Sequence, residues 1–351
     1  MIPYDRVDEA VPHGGDLDAA RRQFPDAIEP FIDLSTGINP NPYPLPRFPA
    51  GLFARLPSLE AAATLAATAA QAYGAPSAAH AVLAPGTQLL LPLVAALVPP
   101  GRAAVLVPSY GEFARAAALA GHRVKAVREL DACADADLVM VANPNNPDGR
   151  LLDRDALLAL AEKNLRQRDG MLIVDEAFMD VGPPGTSLAG EVSHGNVVVL
   201  RSFGKFFGLA GLRLGFALAS PAVAARLRAA LGPWAVSGPA LAVGAKALAD
   251  TGWIERTRRR LARAARRLDA ILERAGLEVI GGTSLFRLAQ TPAADALFRH
   301  LGRAGIFVRP FPDNASWLRF GLPANEPAWR RLEAALTSFA KDSFAKDSFA
   351  K

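Results

Sequence analysis

The stretch Arg201-Ser202-Phe203-Gly204-Lys205-Phe206-Phe207-Gly208-Leu209-Ala210-Gly211-Leu212-Arg213-Leu214-Gly215 sets one lysine between a hydroxyl three residues earlier and an arginine eight residues later, with small residues between. An amine condenses with an aldehyde only when it is deprotonated at working pH, which burial and a second cation nearby both promote. Lys205 has that setting. Ser202 offers a hydroxyl donor and Arg213 a planar fork suited to two phosphate oxygens. Together they suit a phosphorylated aldehyde held covalently. Taken alone, the stretch also reads as a surface turn between two apolar strands.

Working outward from it, Met171-Leu172-Ile173-Val174 is a short apolar run that ends in Asp175-Glu176-Ala177-Phe178. It reads as a buried parallel strand delivering a carboxylate at its C-terminal end, where open α/β sheets bind ligands. The phosphorylated aldehyde that fits is pyridoxal 5'-phosphate (PLP), which needs a carboxylate under its pyridine nitrogen to make the ring an electron sink. Asp175 is the candidate for that role and Glu176 its neighbouring alternative. Further upstream, Asp137 to Ala142 opens onto the turn Asn143-Pro144-Asn145-Asn146-Pro147-Asp148-Gly149, where Asn146 can donate to the phenolate oxygen of the ring.

Earlier still, His80 to Ala84 leads through Pro85-Gly86-Thr87-Gln88 into a helical run from Leu89 to Val98. A strand, a glycine turn and a helix start point backbone N–H groups at an anion, so Gly86, Thr87 and Gln88 complete a phosphate cup. Ala103 to Val107 then ends at Pro108-Ser109-Tyr110, and Tyr110 is placed to stack on the pyridine ring as a further catalytic candidate.

In this order, the motifs from Pro85 to Arg213 resemble the class I and II aminotransferase superfamily of fold type I PLP enzymes, over nearly the whole chain. The resemblance implies an α/β fold type I architecture: a large, mostly parallel sheet domain and a small α+β C-terminal domain. It implies PLP as cofactor and a homodimer with active sites at a twofold interface. Two branches are nearest, the threonine-phosphate decarboxylases of cobalamin biosynthesis and the histidinol-phosphate aminotransferases. The segments Val11-Pro12-His13-Gly14-Gly15-Asp16 and Ile32 to Pro42, together with Phe178 and Gly204 before the lysine, are similar to the decarboxylase pattern. That branch implies a lyase converting L-threonine O-3-phosphate to (R)-1-aminopropan-2-yl phosphate; the runner-up is an aminotransferase.

The same resemblance supplies substrate residues: His13, Gly14, Gly15, Thr36, Gly37 and Asn146, with Arg319 on the carboxylate and Arg309 helping to hold an acidic substrate. His13-Gly14-Gly15 also offers consecutive backbone amides beside an imidazole, suited to a second phosphate. One departure stands out. The family commonly lends a partner-subunit tyrosine to the cofactor phosphate, and here the segment reads Arg55-Leu56-Pro57; Tyr43 and Tyr73 are the other hydroxyls to consider.

The chain has 351 residues, 51% of them hydrophobic, enough for a large α/β domain and a smaller companion. The expected divisions are an N-terminal arm packing with the small domain over 1–32, the PLP-binding domain over 33–245, the small domain over 246–337 and a repetitive tail over 338–351. That tail repeats Ser338-Phe339-Ala340-Lys341-Asp342, a five-residue period matching neither helix nor strand. No apolar run approaches the roughly 18 residues of a membrane span and no basic-apolar leader opens the chain, so a cytoplasmic enzyme with no membrane partner is expected. The single Cys133 allows no internal disulfide, and the five histidines never pair at metal-ligand spacing, so no metal site is expected.

Between Trp253 and Arg274 eight arginines face three acids, a net of +5 that equals the formal charge of the whole chain. Ile254, Leu261, Ala265, Leu268, Ile271 and Leu272 recur at helical spacing, so the arginines cover the solvated face of a connecting helix. A nucleic-acid-binding regulator on this fold would need a recognition module in front of it, which is not expected here.

Overall fold

A computed structural model describes residues 13–349, with side chains described through residue 341. The N-terminal arm expected over 1–32 is therefore described only from His13 onward, and Val11 and Pro12 of its motif lie outside the described residues. The strands in chain order begin with β1 (Ile32–Asp33), β2 (Ala81–Ala84), β3 (Arg102–Leu106), β4 (Arg123–Val127), β5 (Leu138–Ala142), β6 (Met171–Asp175) and β7 (Val197–Ser202). They continue with β8 (Gly215–Leu218), β9 (Glu278–Thr283), β10 (Phe286–Gln290), β11 (Ile306–Phe307), β12 (Arg309–Pro310) and β13 (Trp317–Gly321).

Among the described residues two compact units result, one of residues 42–255 and one of residues 13–41 with 256–349. The larger holds a seven-stranded sheet in the order β2-β8-β7-β6-β5-β3-β4. Every neighbouring pair from β4 to β7 is parallel, and β8 runs antiparallel to both its neighbours. β5 and β6 are buried along their whole length, as unbroken apolar runs in a parallel sheet should be. One core cluster gathers Val105, Met140, Ile173 and Leu200 from the sheet with Leu91, Val94 and Phe113 from the helices Thr87–Ala95 and Glu112–Leu119.

The smaller unit holds the antiparallel sheet β12-β13-β10-β9 and the parallel pair β1-β11. The pairing of Ile32 with Ile306 explains why residues 33–41 group with the C-terminal unit, not with the PLP-binding domain expected to begin at 33. At the other expected boundary, residues 246–255 stay with the larger unit, since Trp253 stacks on Phe207 with ring centroids 5.6 Å apart. The connecting helix is Thr251–Arg274, as its apolar spacing predicts, burying Leu261, Ala265, Leu268, Ile271 and Leu272. The expected tail is instead part of a helix, Glu326–Phe349. Its repeat contains no glycine or proline, so a period of five does not stop a helix that is already running. Among the described residues, no helix is long and apolar enough to cross a membrane, and no group of three or more His, Cys, Asp or Glu is placed to hold a metal.

Candidate active site

The parallel strands carry their loops to one edge of the large sheet, and the register decides which residues meet there. Ala142 pairs with Asp175, Asp175 with Leu200, Ser202 with Gly215, and Gly215 with Ala84. The turns starting at Asn143, Glu176, Phe203 and Pro85 are therefore neighbours. The loop after β5 is tied to the loop after β3, because Asn145 Nδ2 donates to the Pro108 carbonyl at 2.8 Å and to Asp148 Oδ1 at 2.8 Å.

Three phenylalanines explain the lysine turn. Phe203, Phe206 and Phe207 are fully buried, with Phe203 stacked on Phe207 at 4.3 Å and Phe206 edge-on to Trp253 at 5.5 Å. Each such burial stabilises by about 1.5–3 kcal/mol. The side chains before and after Lys205 are thus committed to the core, and Lys205 stays half-buried with its Nζ 5.7 Å from the Phe178 ring centroid.

Asp175 is buried at the end of β6, and its Oδ1 accepts the Ala177 N–H at 3.0 Å. Burial pushes its carboxyl up to about 6, against the opposing pull of that hydrogen bond and of the Lys205 charge. Asp175 ends β6 and Lys205 follows β7, its parallel neighbour, so the two groups share one edge of the sheet. Glu176, the alternative, is engaged elsewhere. Its carboxylate accepts from Ser187 Oγ at 2.6 Å, the Leu188 N–H at 2.7 Å and Arg201 Nη1 at 3.0 Å. Arg201 also reaches Asp180 at 2.7 Å and lies over the Tyr73 ring at 4.3 Å. Burial alone would push Arg201 down, yet Asp180 and Glu176 hold it above its ordinary range.

The anion cup is built from the turn after β2. Gly86 sits at φ +94°, a conformation open to glycine, and a Cβ there would lie 2.6 Å from Arg213 Nη2. The guanidinium thus lies against the turn that starts the helix Thr87–Ala95, whose first amides have no side-chain cap. Arg213 itself holds φ +55°, a left-handed backbone that a long side chain adopts at a cost of about 1–3 kcal/mol, as functional sites often require. Gly86, Thr87, Gln88, Arg213 and Ser202 therefore form a donor set that fits a phosphate, and Lys205 with Asp175 fits the aldehyde and ring nitrogen of PLP. Tyr110 lies at the same edge, its hydroxyl donating to Gln88 Oε1 at 2.9 Å, and Asn146 follows the pinned Asn145.

The substrate candidates other than Asn146 lie in the smaller unit, where two residues that sequence reading missed organise them. Ser35, fully buried, donates its hydroxyl to Asp33 Oδ1 at 2.6 Å and accepts the Gly15 N–H at 2.7 Å. Its carbonyl accepts Arg319 Nη2 at 2.8 Å. Gly14 packs so closely that a Cβ there would stand 2.4 Å from that carbonyl oxygen. His13-Gly14-Gly15, Thr36, Gly37 and Arg319 are thereby gathered around one serine. Arg309 pairs with Arg319 directly across β12 and β13. Burial, with Arg309 beside it, pulls the Arg319 guanidinium down from its ordinary range, and Asp33 opposes. The signal for Ser35 was local: Asp33 two residues earlier also accepts its N–H at 2.8 Å, a short side-chain turn.

Neither tyrosine considered in place of a residue at Leu56 points away from its own core. The Tyr43 hydroxyl donates to Asp250 at 3.3 Å, and Tyr73 is buried against Arg201 and Phe216. Leu56 itself is exposed.

The family model for aminotransferase class I and II matches residues 29–334. A threonine-phosphate decarboxylase of Pseudomonas aeruginosa is 42% identical over 93% of this chain and 97% of its own length. One of Sinorhizobium sp is 44% identical with the same coverage of each. Among solved structures, a histidinol-phosphate aminotransferase of Sinorhizobium meliloti in complex with pyridoxal-5'-phosphate superposes with a TM-score of 0.79 at 24% identity, over 97% of this chain and 98% of that one. Fold, motif order and near relatives agree: the chain belongs to the class I and II aminotransferase family.

Proposed function

We propose that the protein is a PLP-dependent carboxy-lyase that removes the carboxyl group of L-threonine O-3-phosphate to give (R)-1-aminopropan-2-yl phosphate, the reaction named for the two sequence relatives. When bound, PLP supplies an electron sink for the pair released at the substrate's α-carbon. The chain's own residues do the rest. Ser202, Arg213 and the amides of the 86–88 turn would hold the cofactor phosphate, Asp175 Oδ would keep a proton on the ring nitrogen, Tyr110 would pack on the ring and Asn146 would donate to the ring oxygen. Lys205 Nζ would hold the aldehyde and would be the amine placed to carry a proton to and from the substrate's α-carbon.

The observation that carries this reading is the Arg309–Arg319 pair beside the pinned His13–Gly15 turn. Like charges directly opposed across strands destabilise a sheet, and a buried guanidinium pulled down by its surroundings gains most from an incoming anion. A substrate bearing both carboxylate and phosphate suits that set. Arg319 gripping the carboxylate with both nitrogens would fix the orientation in which the substrate is held.

The reading includes a cytoplasmic homodimer. Phe53, Leu56 and Trp234 are exposed, and Trp234 borders an apolar groove of about 490 Å³ lined also by Leu59, Ala66, Leu83 and Leu241, a surface suited to a second copy of the chain. To test the reaction, purified protein with PLP is given either L-threonine O-3-phosphate or histidinol phosphate with 2-oxoglutarate. CO2 from the first and no glutamate from the second is expected; glutamate without CO2 would make the protein an aminotransferase.

A further inference from the structure

We infer that Glu112 is a positioning residue for the reaction, acting through the side chain of Gln88 on the ring of Tyr110. Glu112 opens the helix Glu112–Leu119 and is 4% exposed, a rare depth for a carboxylate that nothing in the sequence marks as functional. Its Oε2 accepts from Gln88 Nε2 at 2.9 Å, and Gln88 Oε1 accepts from the Tyr110 hydroxyl at 2.9 Å. Arg115, one turn along the same helix, brings Nη1 to 3.4 Å from the same Oε2.

The direction of each bond in this chain follows from the charge at its far end. A carboxylate offers acceptors only, so Gln88 must turn its NH2 toward Glu112 and its carbonyl toward Tyr110. The Tyr110 hydroxyl must then donate. A neutral amide at the end of the chain would leave that choice open. The ring is held at a second point by the next residue of the same helix, since Phe113 meets Tyr110 edge-on with centroids 5.7 Å apart and an interplanar angle of 86°. Phe113 is buried, and its N–H donates to the Tyr110 carbonyl at 3.1 Å. One helix start therefore grips the tyrosine at its backbone, its ring and, through Gln88, its hydroxyl.

A ring that stacks on a planar cofactor contributes most when its own plane is fixed beforehand. Gln88 would then serve twice, its backbone amide at the phosphate and its side chain as the rigid link from Glu112 to Tyr110. This inference rests on the reading that Tyr110 faces the PLP ring.

The test uses the holoenzyme and reads the visible circular dichroism of bound PLP, which reports how asymmetrically the ring is held, together with the PLP dissociation constant. Glu112→Ala and Gln88→Leu should each lower the visible band per bound PLP by about half and weaken PLP binding about tenfold, the size of one lost buried hydrogen bond. Glu112→Gln, which can still accept from Gln88 but no longer forces the direction of the bond, should give a band between those of the parent and Glu112→Ala. Tyr110→Phe should show the same loss, and adding Glu112→Ala to it should change little further. If Glu112→Ala folds poorly, Gln88→Leu breaks the same link without touching the helix. An unchanged band in both Glu112→Ala and Gln88→Leu, with a changed band in Tyr110→Ala, overturns the role of Glu112 alone. An unchanged band in Tyr110→Ala removes Tyr110 from the ring and takes the inference with it.

Discussion

Asp175 titrates high for a carboxylate, about 6 against an ordinary 3.8, because burial outweighs the Ala177 hydrogen bond and the Lys205 charge. Between those values the folded protein holds a proton that the unfolded chain releases. Without PLP, stability therefore falls as pH rises from about 4 through 6, by roughly 3 kcal/mol for a displacement of about two units. Asp175→Asn removes the buried charge, so thermal melts without PLP should show the variant more stable than the parent above pH 6, the two converging below pH 4. With PLP bound, the same variant should lose several orders of magnitude in turnover, because the ring nitrogen loses its proton's partner. Parallel melting profiles would contradict the burial argument, and near-normal turnover would remove Asp175 from the ring. Sequence reading set Asp175 at the end of an apolar run as the candidate, but the reason Glu176 is committed elsewhere, the ring of partners that Ser187, Leu188 and Arg201 close around it, was not legible. Those partners are up to 25 residues away and leave no local pattern.

The elements of the large sheet were legible because each is a short apolar run closed by turn residues, and parallel strands buried on both faces leave that mark. The smaller unit was less so. Around Val308 the chain changes sheets midway, since β11 pairs with β1 and β12 with β13, and no turn residue marks the change. The hub at Ser35 was equally hidden, since it joins Gly15, 20 residues away, to Arg319, 284 away. Its proposed role gives a kinetic expectation. His13→Ala and Ser35→Ala should each raise KM for L-threonine O-3-phosphate by about 5- to 50-fold, as for one charge-assisted or buried hydrogen bond, and leave the absorbance of bound PLP unchanged. Amide exchange at Gly15 should quicken in Ser35→Ala, which loses the acceptor, and not in His13→Ala. Unaltered KM in both would take the turn at residues 13–15 out of the substrate site.

At the scale of the molecule, the basic helix Thr251–Arg274 finds partners within its own unit. Arg267 pairs with Glu326 at 2.7 Å and lies over the Trp329 ring, Arg274 pairs with Glu333 at 2.6 Å, and Arg260 donates to the Asn41 carbonyl at 3.2 Å. Exposed pairs of this kind stabilise little, but they take these three arginines out of any continuous cationic face. The helix through residues 338–349 was not legible, because its five-residue repeat carries no periodic stripe; only the lack of a breaker marks it. What the sequence did carry was the order of five motifs, and every residue proposed to hold PLP comes from them. The claim on which all of these roles depend is that Lys205 bears the cofactor. Reducing the PLP-loaded protein with borohydride and mapping its peptides tests this directly: the account predicts the pyridoxyl group on Lys205, and label on Lys125, Lys163 or Lys246 in its place would contradict it.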